Sequence, residues 1–237
     1  MLAMNTPPIV DVIIPAFNEE KSIAKVIGDI PALVRNVVVA NNNSTDRTAE
    51  VAIAAGAQVV FEPQKGYGKA CLTAMDWIKQ QEVQPDILVF LDGDYSDFPQ
   101  ELELLIEPIL RGKAELVIGS RSLGEREAGS MTFPQVFGNA LATTLMRWMY
   151  GAKFSDLGPF RAIHWEKLLA LGMLDQNFGW TIEMQIKAHQ KGLRYQEVPV
   201  RYRKRIGVSK VSGTVKGVIG AGYKIIFTIF KYWRLFR

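Results

Sequence analysis

The chain has 237 residues, 48% hydrophobic and 10% aromatic, which suits one domain with a substantial core and excludes extensive disorder. Its one cysteine, Cys71, excludes an intrachain disulfide, and no run of about 18 apolar residues is present to span a bilayer. The net charge of +4 is unevenly placed. From Lys191 onward, 12 Lys and Arg face one acid, Glu197, while the first 190 residues carry an excess of carboxylates. That asymmetry implies an anionic partner at the C-terminal end: nucleic acid, phospholipid or a phosphorylated substrate.

The opening MLAMNTPPIVDVIIP lacks the basic start and long apolar run of a signal peptide and reads as a tail entering a first strand. Short apolar runs then predict strands over 9–15, 36–40, 58–61, 87–92 and 116–119. Amphipathic stretches between them predict helices over 19–30, 46–55, 67–79 and 99–110. The strands lack clean alternation, as strands covered on both faces do, and the β-α-β-α order predicts a doubly wound, mainly parallel α/β sheet of Rossmann-like type. Ser44 is placed to cap the second helix, Gly56 to end it and Pro99 to open the fourth. Cys71 falls inside a helical apolar pattern and reads as a buried core residue.

After Ser120 the rhythm changes. A polar loop precedes a helix over 135–150, a loop follows around KFSDLGPFR, and helices are predicted over 165–171 and 180–191. A strand over 195–202 leads into the basic segment. The body, 1–212, reads as one domain, and 213–237 as a C-terminal basic amphipathic helix. On a helical wheel Lys216, Lys224, Lys231, Arg234 and Arg237 take one side, and Ile225, Ile226, Ile229, Trp233 and Phe236 the other. Such a helix lies in a membrane interface or packs its apolar side on protein.

The strand over 87–92 ends in DGDYSD, delivering Asp92, Asp94 and Asp97 where ligands of open parallel sheets sit. Two carboxylates flanking Gly93 suit Mg²⁺ or Mn²⁺, hard ions that protein carboxylates share with substrate phosphates. The bland alternative is an Asp-Gly turn. PAFNEE at 15–20 and NNNSTD at 41–46 place two further polar clusters at neighbouring strand ends. No G-x-G-x-x-G follows the first strand, and QKGYGKAC at 64–71 lacks the phosphate-loop spacing, so a dinucleotide cofactor and an NTPase are both disfavoured.

In order and spacing, PAFNEE, NNNSTD, KGYGKA, DGD, GSR at 119–121 and DLGPFRA at 156–162 resemble the family 2 glycosyltransferases of GT-A fold, over nearly the whole chain. Within that family the chain is similar to the dolichyl- or polyprenyl-phosphate sugar transferases, whose basic acceptor loop RKRIGVSK at 203–210 resembles. The resemblance implies inverting hexosyl transfer from a nucleoside diphosphate sugar, UDP- or GDP-linked, at the cytoplasmic face of a membrane. Pro15, Phe17, Glu19 and Asn42 would hold the nucleoside, Asn42 standing where many relatives have Asp. Asp92, Gly93 and Asp94 would bind the diphosphate through a divalent metal, with Asp97 the weaker third candidate. Arg121, Arg203, Arg205, Ser209 and Lys210 would grip phosphates, the last four on the acceptor side. Glu183 in WTIEM falls where relatives with hydroxyl acceptors place a base; with a lipid phosphate acceptor it would orient the sugar.

Two alternatives stay open. The acceptor could be a hydroxyl of a soluble or lipid-linked glycan, or the chain could be a non-catalytic module that docks on membranes. Nucleic acid is disfavoured because 201–210 interleaves only one aromatic with its charges. Homo-oligomerisation is not decided by the sequence. His164 and His189 read as structural.

Overall fold

The computed structural model describes residues 7–207 and 215–235. Seven strands form one sheet: β1 (Val10–Ala16), β2 (Val34–Asn41), β3 (Gln58–Phe61), β4 (Ile87–Phe90), β5 (Leu116–Ser120), β6 (Arg161–His164) and β7 (Tyr195–Pro199). Their order is β3-β2-β1-β4-β6-β5-β7. The pairs among β1 to β4 and the pair β5–β7 are parallel, and β6 runs antiparallel to both β4 and β5. The mainly parallel, doubly wound reading therefore holds, with one reversed strand inserted.

That strand begins at the last residue of the predicted loop and fills 162–164, over which the sequence predicts no element. Its residues, RAIH, are few and begin with a cation, so no apolar run announces it. Arg161 is nonetheless fully buried. Its guanidinium donates to the carbonyls of Leu157, Gly158 and Thr181, which lets a charged side chain serve inside a sheet.

Helices cover both faces of the sheet. On one side lie α1 (Ile23–Gly28), α2 (Thr48–Ala54) and α4 (Leu102–Leu110), with Ile23, Val26 and Leu105 meeting Val12, Ile14 and Val89. On the other lie α3 (Tyr67–Lys79), α5 (Phe133–Tyr150), α6 (Trp165–Leu171), α7 (Trp180–Gln190) and α8 (Val215–Leu235). Cys71 is buried there, on α3. Pro99 opens a short 3₁₀ turn ahead of α4, and Gly56, at φ +93°, ends the α2 unit as predicted.

Ser44 does not cap α2. Its hydroxyl instead accepts the Asn18 backbone N–H at 3.0 Å, tying the β1 loop to the β2 loop. Helix α8 packs against α5 and α7 and gives Ile229 and Tyr232 to the main core. Its apolar side is thus divided: one row is seated on protein, and Ile219, Tyr223, Phe227 and Phe230 stay exposed.

Candidate active site

The carboxyl ends of β1, β2 and β4 open into a cleft of about 800 Å³, roofed by α5 and α8. Pro15, Phe17, Glu19, Asn42, Asp92, Gly93, Asp94, Arg121 and Arg205 all line it. Residues from five separate stretches of sequence therefore converge, as strand-end motifs in a parallel sheet should.

The loop after β4 is held with its carboxylates at fixed angles. Tyr95 sits in the left-handed region at φ +64°, which a bulky residue adopts only when its surroundings impose it. Here the Tyr95 hydroxyl donates to Asp29 Oδ2 at 2.6 Å, and the Arg203 guanidinium lies 3.3 Å from the Tyr95 ring centroid. Arg203 also donates to the carbonyls of Tyr95 and Asp97 and stacks on Phe98. Its fork and both faces are engaged in splinting this loop, and it is not part of the cleft lining. The assignment of Arg203 to phosphate capture is corrected on that ground.

The three carboxylates divide. Asp92 accepts the Tyr67 hydroxyl at 3.1 Å. Burial, then the neighbouring Asp94 charge, pushes the Asp92 carboxyl up to about 7, against a downward pull from Arg205. Asp94 is 3% exposed; its Oδ1 accepts the Ser96 N–H at 2.9 Å and hydroxyl at 2.5 Å, and its Oδ2 pairs with Arg205. Asp97 is buried away from the cleft, and neither carboxyl oxygen has a hydrogen-bond partner among the described residues. Burial together with Asp92 and Asp94 raises its carboxyl well above the usual range, and it does not line the cleft where a metal would sit.

Asp92 and Asp94 fit a divalent cation shared with a diphosphate. They supply two hard oxygen donors from one loop on the cleft floor. No cluster of three or more metal-ligating side chains exists among the described residues, so remaining ligands would come from substrate and water. Gly93 is not sterically forced: a Cβ there would meet Ile14 at 3.4 Å, an ordinary contact.

The KGYG turn is tightly fitted instead. A Cβ on Gly68 would stand 2.0 Å from the Asp175 carbonyl oxygen, and one on Gly66 would stand 2.2 Å from that of Gln176. Asn42 secures this turn, its amide donating to the carbonyls of Glu62 and Gln64 and its oxygen accepting the Gly66 N–H at 2.8 Å. It touches the cleft, but its side chain is spent on the loop. Lys65, which sequence reasoning missed, stands 4.6 Å from the Phe17 ring centroid in the cleft lining. Sequence reasoning also missed Tyr67; both lie in a motif whose glycines are its most conspicuous feature.

Arg121 faces the cleft with two of its three guanidinium nitrogens bonded to Asp156, at 2.9 and 2.7 Å. That pairing leaves it a positioned positive charge, not a free hand. Glu183 is displaced altogether. It is fully buried, accepts the backbone N–H groups of Leu174 and Asp175, pairs with Lys187 Nζ at 2.6 Å and takes the Tyr232 hydroxyl at 2.5 Å. It does not line the cleft, so neither the base nor the sugar-orienting role fits it. His164 and His189 do not line it either; His189 bonds the Tyr150 carbonyl at 2.8 Å and the Tyr195 hydroxyl at 3.2 Å. Ser209 and Lys210 lie outside the described residues.

Residues 11–169 match the profile of Glycosyl transferase family 2. The chain belongs to that family. A Mycobacterium tuberculosis glycosyltransferase, itself uncharacterized, is 35% identical over 229 residues, spanning 95% of this chain and 97% of its own. A dolichyl-phosphate hexose transferase of Haloferax volcanii is 29% identical over 205 residues, 84% of this chain and 85% of that one. Among solved structures, glucosyl-3-phosphoglycerate synthase of M. tuberculosis, in complex with Mn²⁺, UDP and phosphoglyceric acid, superposes with a TM-score of 0.74. It is 22% identical, covering 95% of this chain and 78% of that one, a likeness of GT-A fold. This family 2 transferase is thus a glycosyltransferase whose relatives include hexosyltransferases.

Proposed function

We propose that this family 2 transferase moves a hexosyl group from a nucleoside diphosphate sugar to a polyprenyl phosphate at the cytoplasmic face of a membrane. One observation carries the reading: the cleft is polar at one end and apolar at the other. Asp92, Asp94, Arg121 and Arg205 gather where the β strands end, while Phe137, Leu141, Ile225 and Ile226 line the part between α5 and α8. A phosphate at the charged end with an isoprenoid chain along the apolar end would match both halves.

The residues divide the work accordingly. Pro15, Phe17 and Glu19 would hold the nucleoside, with Lys65 beside the Phe17 ring. Tyr67 fixes the Asp92 carboxylate, and the Ser96 bonds fix that of Asp94. A Mn²⁺ or Mg²⁺ ion between these carboxylates and the diphosphate would supply Lewis-acid neutralisation of the charge growing on the leaving nucleoside diphosphate. The acceptor phosphate oxygen forms a bond to the anomeric carbon from the opposite face as the bond to the donor phosphate oxygen breaks. An anionic phosphate has no proton to lose, so no base is required. That agrees with a lining whose carboxylates, among the described residues, are Glu19, Asp92 and Asp94, without a histidine.

Helices α5 and α8 suit a peripheral membrane position. Neither contains an acidic residue, and the described cations on them are Arg147, Lys224, Lys231 and Arg234, of which Lys224 pairs with Asp175 at 2.9 Å. Phe133 and Trp148 on α5 are 81% and 80% exposed, and Tyr223 and Ile219 on α8 69% and 67%. Exposed apolar side chains with cations on the same two helices favour an anionic lipid surface. No helix of the described residues is long and apolar enough to cross a membrane.

The test is product analysis by mass spectrometry, with UDP- and GDP-hexoses, a short polyprenyl phosphate and Mn²⁺ or chelator. A metal-dependent glycosyl-phosphoryl-polyprenol is the expected product. Donor hydrolysis without lipid product would overturn the acceptor and leave a glycan hydroxyl in its place. Absence of any nucleotide-sugar binding would leave a membrane-docking module.

A further inference from the structure

Arg205 occupies a place that its sequence position does not explain. Its guanidinium is bonded to Asp94 Oδ2, the one oxygen of that carboxylate not held by Ser96. The backbone around it is pinned to the carboxylate loop: Ile206 N–H donates to the Asp94 carbonyl at 2.9 Å, and Arg203 N–H to the Ser96 carbonyl at 2.9 Å. Tyr202 bridges to Asp97 on the same edge. The side chain itself is 27% exposed and lines the cleft. A fixed backbone with a partly exposed side chain gives the guanidinium a short arc of reach, with Asp94 at one end and the cleft interior at the other.

We propose that Arg205 is a surrogate cation: in the metal-free protein it takes the position on Asp94 that a divalent ion takes in the working enzyme, so metal and donor bind by exchange. This rests on the reading of the cleft as a metal–diphosphate site. A divalent ion and the guanidinium compete for Asp94 Oδ2, because like charges at contact distance repel and one carboxylate does not neutralise both. When the ion arrives, the guanidinium leaves Asp94 and finds a new partner in the diphosphate, whose oxygens its planar fork matches. No covalent bond is made or broken in this exchange; three charged partners are re-paired.

The physical motive is visible in the same loop. Asp92, Asp94 and Asp97 are crowded within six residues of chain, and without a counter-charge the nearly buried Asp94 carboxylate would stand unpaired. Arg205 supplies that charge before the ion does. The consequence is a coupling with a definite sign. Arg205 opposes metal binding in the absence of nucleotide and supports it in its presence, because the diphosphate gives the displaced guanidinium somewhere to go. A cation that merely stood near the site would oppose the metal with and without nucleotide alike, so its removal would leave the enhancement of Mn²⁺ binding by UDP unchanged.

The experiment is Mn²⁺ binding, read from the electron paramagnetic resonance signal of free Mn²⁺, with and without UDP, on the full chain and on Arg205→Gln and Arg205→Lys. Arg205→Gln should bind Mn²⁺ on the order of tenfold more tightly without UDP, the factor set by removing one charge-assisted competitor. Its UDP affinity in saturating Mn²⁺ should fall, and the enhancement of Mn²⁺ binding by UDP should shrink by a similar factor. Arg205→Lys keeps the charge without the fork and should fall between; it carries the comparison should the glutamine variant fold poorly. Arg205 variants that bind Mn²⁺ no more tightly than the parent chain would overturn the exchange while leaving the donor site standing. A parent chain that binds no Mn²⁺ even with UDP would instead overturn the reading of the cleft.

Discussion

Replacing Glu183 by Gln distinguishes a structural clamp from a catalytic base. In the structure Glu183 is fully buried beside Lys187, whose side chain is only 8% exposed. Neutralising the carboxylate leaves that ammonium with the Gly172 carbonyl, 2.5 Å away, and no counter-charge. Removing one partner of a buried pair costs about 3–5 kcal/mol, a large part of the roughly 5–15 kcal/mol that a domain has in total. For a chain of this size the loss lowers the melting temperature by on the order of 10 °C. The loop 174–179 should loosen with it, since Glu183 also holds the Leu174 and Asp175 N–H groups. The double variant Glu183→Gln, Lys187→Met removes the orphaned charge, and the oxygen of the new side-chain amide can still accept those N–H groups. It should recover at least half of the lost stability, and turnover measured well below the melting temperature should recover with it. A Glu183→Gln protein that melts normally yet has lost turnover by about a hundredfold or more would refute the clamp and restore the base.

Asp94→Ala should abolish sugar transfer, by at least about 10²–10³, while circular dichroism stays native-like; retained transfer would remove the metal assignment. Because Asp92 and Asp97 carry raised carboxyl pKa values in the fold, these two groups hold more protons folded than unfolded above about pH 4. Their contribution to stability therefore falls as pH rises from about 4 towards 7 and beyond. In chelator, Asp97→Asn should flatten that slope in a series of melting curves, and an unchanged slope would contradict the raised Asp97 carboxyl. Apparent Mn²⁺ affinity should weaken below about pH 7, by about tenfold per unit at most, as the ion displaces the Asp92 proton; a calorimetric affinity independent of pH from about 5.5 to 8 would contradict it. Phe133→Ser with Trp148→Ser should reduce co-sedimentation with phosphatidylglycerol vesicles by roughly tenfold or more, from the lost burial of two aromatic rings. Neutral phosphatidylcholine vesicles should bind both forms poorly.

Local chemistry in the sequence determined a good deal. Strand and helix spacing established the winding, because apolar runs covered on both faces and amphipathic helices differ in period, and α3 and α6 run over the predicted residues. The strand-end motifs located the cleft, since a parallel sheet brings the carboxyl ends of consecutive strands to one edge whatever the intervening detail. What packing alone decided was the direction in which charged side chains point. Asp94 and Asp97 are three residues apart with the same carboxylate, yet one faces the cleft and the other is sealed behind it, because Tyr95 takes a left-handed turn between them. Glu183, Arg203 and Arg161 carry charges that sequence reasoning assigns to substrate or to a loop. Each is instead consumed by partners up to about a hundred residues away in the chain, at Tyr232, Tyr95 and Gly158 among others. A charge shows its residue type in the sequence, but only the folded chain determines whether its counter-charge is protein or ligand.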